Sequence, residues 1–154
     1  MTTRDDFDAD DWEILVFSPA FAAFGVAAVD GRIDAKEKEA ITGMLLNIQD
    51  KYPDNELICA VMSELPAMLE DMNVPGSLRY IKTKDEFLWA YKKIGRIVDG
   101  AAEPDEAAQF KSFLVDIVEQ IAHASGKKMN VFGNDINQPE SGFLKDVRNS
   151  LGIL

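Results

Sequence analysis

Two stretches of the chain set carboxylates at the same spacing around a glycine. In VDGRIDAKE, residues 29–37, the acids are Asp30, Asp34 and Glu37. In VDGAAEPDE, residues 98–106, they are Asp99, Glu103 and Glu106. Both follow D-G-x-x-[DE]-x-x-E. Hard divalent cations gather carboxylate and carbonyl oxygens around turns of this kind. The first copy also matches the second half of an EF-hand loop, D-G-x-I-D-x-x-E. The first half of that loop fails, because Val26 and Ala28 stand where oxygen ligands are required. A complete EF-hand is not expected.

Ordinary helix punctuation accounts for most of these residues. Gly31 and Gly100 suit the left-handed conformation that closes a helix. Asp34 and Glu103 are placed to cap the next helix, although Glu is a poorer cap than Asp. Glu37 and Glu106 fall at the third helical position, where a carboxylate reaches back to the cap N–H. Pro104 fits the first helical position, where its missing N–H costs nothing. A weaker third copy has Gly126, Asn137 and Glu140 in these places, with a longer loop and Ser125 instead of an aspartate. Asp30 and Asp99 are left over. Each precedes its glycine at the end of a helix, where the last carbonyls already carry partial negative charge. A bound Ca2+ or Mg2+ would explain an acid placed against the dipole twice. Caps alone, and caps plus a weakly held cation, both fit the residues.

Other chemistry finds little support. His123 is the single histidine. With Glu119 it makes E-x-x-x-H on one helix face, and one histidine cannot complete a di-iron bundle. A positive charge near a helix C-terminus is its simpler role. There is no Gly-x-Ser-x-Gly elbow and no phosphate-binding glycine motif. The expectation is a protein that is not an enzyme. Net charge is −11, which opposes nucleic acid and anionic lipid and favours cations or basic partners. The single cysteine, Cys59, allows no internal disulfide, and in LICAVM it reads as a buried thiol. An acidic N-terminus unlike a signal peptide, and no apolar stretch long enough to cross a bilayer, suggest a cytoplasmic protein.

The elements that must position the acidic turns are helices. Asp10 with Glu13 can cap a first helix, in which Phe17, Phe21, Phe24 and Ala28 share a face. It is apolar nearly all round and should be the buried centre. A second helix begins near Asp34 and buries Ile41, Met44, Leu45 and Ile48. A third runs from about 54 to 72, with Pro66 predicting a kink or a break. Thr83 and Glu86 form a capping box for a helix carrying Phe87, Leu88, Tyr91, Ile94 and Val98. Phe110, Phe113, Leu114, Ile117 and Val118 line another, and Phe143, Leu144, Val147 and Leu151 the last. Trp12 and Trp89 sit at helical spacing and are expected in the core. The fold class is all-α, with six or seven helices. Residues 1–10 read as an acidic tail and 11–154 as one domain.

A helix ending A-x-x-D-G-x-I-x-x-x-E, repeated, and followed by IAHASG…FG…I…PE…FL…LGI, resembles the tellurite-resistance TerB-like family. The resemblance runs from about residue 14 to Leu154. It implies a compact bundle of pseudo-repeated helix-turn-helix units, in bacterial proteins associated with tellurite and other chemical stress. By position it makes Asp30, Asp34, Glu37, Asp99, Glu103 and Glu106 the candidate metal ligands, with Ca2+ or Mg2+ as the ion. Ser125 departs from the pattern, so the third copy is left out. The function implied is a non-enzymatic, divalent-cation-binding domain of a stress response. The alternative is a metal-free acidic module that docks a protein with a basic surface.

Overall fold

The most apolar stretch of the chain forms α1 (Ala9–Phe24), whose first turn is exposed and which is buried on every side from Ile14 to Ala23. Trp12, Leu15, Val16, Phe17, Ala20 and Phe21 are all inaccessible, positions that together circle the helix. The structure is a computed structural model that describes residues 4–24, 35–71, 74–79, 81, 83–125 and 140–153. Five more α-helices follow among the described residues. They are α2 (Ala35–Gln49), α3 (Glu56–Asp71), α4 (Lys84–Ala101), α5 (Pro104–Ser125) and α6 (Glu140–Leu151). No strand occurs among the described residues.

Helix α1 packs against α3, α4 and α5. Its Phe21 ring stacks on Phe87 of α4 at 5.0 Å and lies 5.2 Å from Tyr91. Burying one such ring contributes about 1.5–3 kcal/mol. Pro19 lies inside α1 and has no N–H for the Leu15 carbonyl. The Ser18 hydroxyl donates to that carbonyl at 2.7 Å instead, so the buried oxygen keeps a partner.

The helix starts follow local rules. The first helical bond runs from the Trp12 N–H to the Asp8 carbonyl, which moves the start of α1 ahead of Asp10. Thr83 and Glu86 form the expected capping box, with two bonds of 3.1 Å. Residues before α1 are also engaged. Arg4 reaches Glu64, and the Phe7 ring lies 5.6 Å from Trp12.

Of the kink or break expected at Pro66, the break does not occur: α3 is one helix of 16 residues. Pro66 is itself exposed while Met62, Leu65 and Leu69 are buried, so packing on the other face holds the helix together across it. Cys59 is exposed rather than buried, because it falls outside the stripe of Leu57, Ile58, Val61, Met62 and Leu65. Trp89 is 48% exposed. It lies opposite the buried Phe87, Tyr91 and Ile94, with the Lys93 ammonium 5.4 Å from its ring centre.

Helices α4 and α6 pack closely against each other. Gly95 of α4 makes this possible: a Cβ there would stand 2.7 Å from the Leu151 carbonyl oxygen. The last helix closes on Gly152, whose φ is +84°. Its N–H bonds the Asn149 carbonyl, and the Ile153 N–H bonds the Arg148 carbonyl.

Candidate functional site

Of the six acids with candidate roles, Asp30 and Asp34 lie outside the described residues, as do Gly31, Gly126 and Asn137. Helix α2 begins at Ala35, directly after Asp34, and Glu37 falls in its first turn; the Glu37 side chain is outside the description, as is that of His123.

The second copy is described in full. Helix α4 runs through Gly100 to Ala101, so Gly100 is helical and not left-handed. The chain turns instead at Ala102, an extended residue whose N–H bonds the Val98 carbonyl. Asp99 therefore sits in the last turn of α4, against the dipole, as expected. It has a protein partner: its Oδ2 accepts from the Lys111 ammonium at 2.7 Å. The Lys111 side chain is 7% exposed and that of Asp99 57%. The same ammonium would be 3.4 Å from a Cβ at Gly152, so it also lies beside the C-terminal end of α6. Carbonyls there carry partial negative charge, which favours a cation.

Glu103 precedes α5, and the Ala107 N–H bonds its carbonyl at 2.8 Å; Pro104 takes the first helical position as expected. Glu106 reaches a different helix. Its Oε2 accepts the N–H of Leu57, in the first turn of α3, at 3.2 Å. Asn55 completes this junction. Its Oδ1 accepts the Ile58 N–H, capping α3, while its Nδ2 donates to the Glu106 carbonyl and to Gln109 Oε1. A carboxylate at the start of α3 also meets the positive end of that helix.

Asp99, Glu103 and Glu106 thus do not assemble into one ligand set. Among the described residues, no three His, Cys, Asp or Glu side chains come together as a metal would require. The second turn does not fit a divalent cation: Asp99 already faces an ammonium, which would repel one.

Sequence reasoning missed Lys111 and Asn55. Asn55 had a usable signal, since asparagine ahead of a helical apolar run is a preferred cap. Lys111 had none. It sits on the next helix, and only packing of α4, α5 and α6 brings it to Asp99.

Two further features belong to the surface. Asp8, Asp10, Asp11 and Glu13 line a groove of about 350 Å3 with Pro75 and Lys93. Across the bundle, the Tyr52 hydroxyl donates to Asp116 Oδ2 at 2.6 Å. Partial burial, followed by the bond to this carboxylate and its charge, raises the phenol above its ordinary value.

Comparison with protein-family models, with curated proteins and with solved structures finds no match. No helix among the described residues is long and apolar enough to cross a membrane.

Proposed function

We infer that the protein is a helical domain that binds one divalent cation, Ca2+ or Mg2+, at the turn of Asp30, Asp34 and Glu37, in keeping with its TerB-like resemblance. The supporting observation is the Asp99–Lys111 contact. An aspartate at the end of a helix, ahead of a second acid-lined helix start, is held by positive charge. Shifting the sequence by the interval between Asp30 and Asp99 pairs Ile41 with Phe110, Met44 with Phe113, Leu45 with Leu114 and Ile48 with Ile117. The same register pairs Lys111 with Thr42. The position that matches Lys111 is thus a threonine in the first copy, and a solvent cation can supply positive charge to its acids. Such a domain performs no bond chemistry; it couples folding to cation concentration.

The test is thermal. A chelator-treated sample should gain about 5–10 °C in Tm at a free Ca2+ or Mg2+ concentration one hundred times Kd, from about 2.7 kcal/mol of native-state stabilisation. Asp30→Asn with Glu37→Gln should abolish the gain, because glutamine still completes a capping box but lacks the charge. Unchanged melting of the unsubstituted chain in millimolar Ca2+ and Mg2+ rejects the reading.

A second reading, an acidic module that docks a basic protein segment, is favoured by the groove of Asp8, Asp10, Asp11 and Glu13. Trp89, exposed and on the same helix as groove-lining Lys93, is the type of residue that anchors such contacts.

A further inference from the structure

We propose that the exposed face of α4 around Trp89 is an interface between two copies of this chain, in which the α4 of each copy lies against the acidic groove of the other. This deepens the second reading above by naming the basic partner, and it does not depend on the cation.

Three observations converge on this face. The first is an apolar side chain without cover. Trp89 is 48% exposed. Tryptophan and arginine are enriched among the residues that carry binding energy between proteins. The Lys93 ammonium, 5.4 Å from its ring centre, holds the indole in place and lowers the cost of ordering it on contact.

The second is the charge around that ring. Lys92, Lys93 and Arg96 follow Trp89 at i+3, i+4 and i+7, so α4 carries three cations on the side of the indole. The chain has 27 Asp and Glu against 16 Lys and Arg, and this stripe runs against that balance. Lys92 and Arg96 are exposed. Among the described residues neither forms a salt bridge.

The third is position. Lys93 lines the groove of Asp8, Asp10, Asp11 and Glu13, so the cationic stripe and the acidic groove are neighbours on one surface. A positive stripe beside a negative groove is self-complementary across a twofold axis. Each copy's stripe meets the other's groove, and the two contacts are equivalent. A segment of basic residues alone satisfies the groove but is repelled by Lys92 and Arg96 beside it. A second copy carries both signs in the required order. The net charge of −11 on each chain opposes the pairing, so the contact is weak and reversible.

Sedimentation equilibrium of the full chain in chelator tests this. A dimer with a Kd of about 1–100 μM is expected, the weak end for protein interfaces. The mass of a single chain up to about 1 mM overturns the proposal. Trp89→Ala should weaken association by about tenfold or more. Lys92→Glu with Arg96→Glu reverses the stripe, and Asp10→Lys with Glu13→Lys reverses the groove. Each variant alone should be monomeric. Their equimolar mixture should regain a dimer of one chain of each, because the native groove meets the native stripe at one contact and the reversed pair meets at the other. The groove variant moves the net charge from −11 to −7, two charges for each substitution. General repulsion therefore predicts that it associates more strongly, whereas the interface predicts that it associates less. Stronger association of that variant, or no recovery on mixing, overturns the proposal. Should the lysine variant fail to fold, Asp10→Asn with Glu13→Gln takes its place and should weaken the dimer by about tenfold. A chain that stays monomeric yet binds a lysine-rich peptide rejects the second copy and leaves the acidic-module reading standing. A monomer that binds no such peptide removes both.

Discussion

Asn55 does more at the residue scale than its type suggests. It is a helix cap that is itself buried, and each of its side-chain atoms has a task. Oδ1 closes the start of α3, and Nδ2 ties that start to α5 through the Glu106 carbonyl and Gln109. Asn55→Ala removes the cap and leaves two acceptors without their donor. We expect a loss of about 2 kcal/mol, read from urea unfolding. Asn55→Asp restores the cap acceptor but cannot donate, and it sets a second carboxylate near Glu106. It should recover only part of the loss. Recovery to the parental midpoint would mean that capping alone is what matters.

At the scale of elements, the contact of α4 with α6 depends on what Gly95 lacks. A methyl group there meets the Leu151 carbonyl oxygen at 2.7 Å, and backbone cannot yield as a side chain does. Gly95→Ala should therefore force the helices apart and cost about 1–3 kcal/mol, as overpacked cores do. Gly43 is the internal control. It is exposed within α2, and nothing lies within 4 Å of a Cβ there. Gly43→Ala should stabilise by about 0.5–1 kcal/mol, through helix propensity alone. Equal and favourable effects at both glycines, in paired denaturation curves, would refute the close crossing. The two helix prolines show a related contrast. Pro19 strands a buried carbonyl that Ser18 satisfies, whereas Pro66 faces outward.

At the scale of the whole molecule, a net charge of −11 has to be tolerated by the bundle. Part of the acidity is engaged by partners within the chain, with Asp99 on Lys111, Glu106 on the start of α3 and Asp116 on Tyr52. Another part gathers along the groove beside α1. If that groove docks basic segments, a lysine-rich peptide should bind at low salt and weaken by about tenfold or more between 50 and 500 mM NaCl. Asp10→Asn with Asp11→Asn and Glu13→Gln should weaken it further. Binding that is indifferent to both changes would remove the acidic-module reading and leave the cation reading untouched.

Periodicity and capping chemistry act over a few residues, so they are legible in one dimension. Phe17, Phe21, Phe87, Tyr91, Phe110 and Phe113 could be placed in the core from spacing alone, and the Thr83–Glu86 box and Pro104 from local rules. The recurrence of the acids at Asp30 and Asp99, and the unfavourable placement of an acid against a helix end, were equally readable. What answers the acid at Asp99 was not. Lys111 is twelve residues away on another helix, and Glu106 reaches across to an N–H 49 positions earlier. Trp89 and Cys59 were misplaced for a different reason: each was read by residue type, whereas its helical position falls off the stripe that its own helix buries. Short-range sterics and hydrogen bonds make the helices, whereas charge compensation depends on distances that exist only after the helices pack.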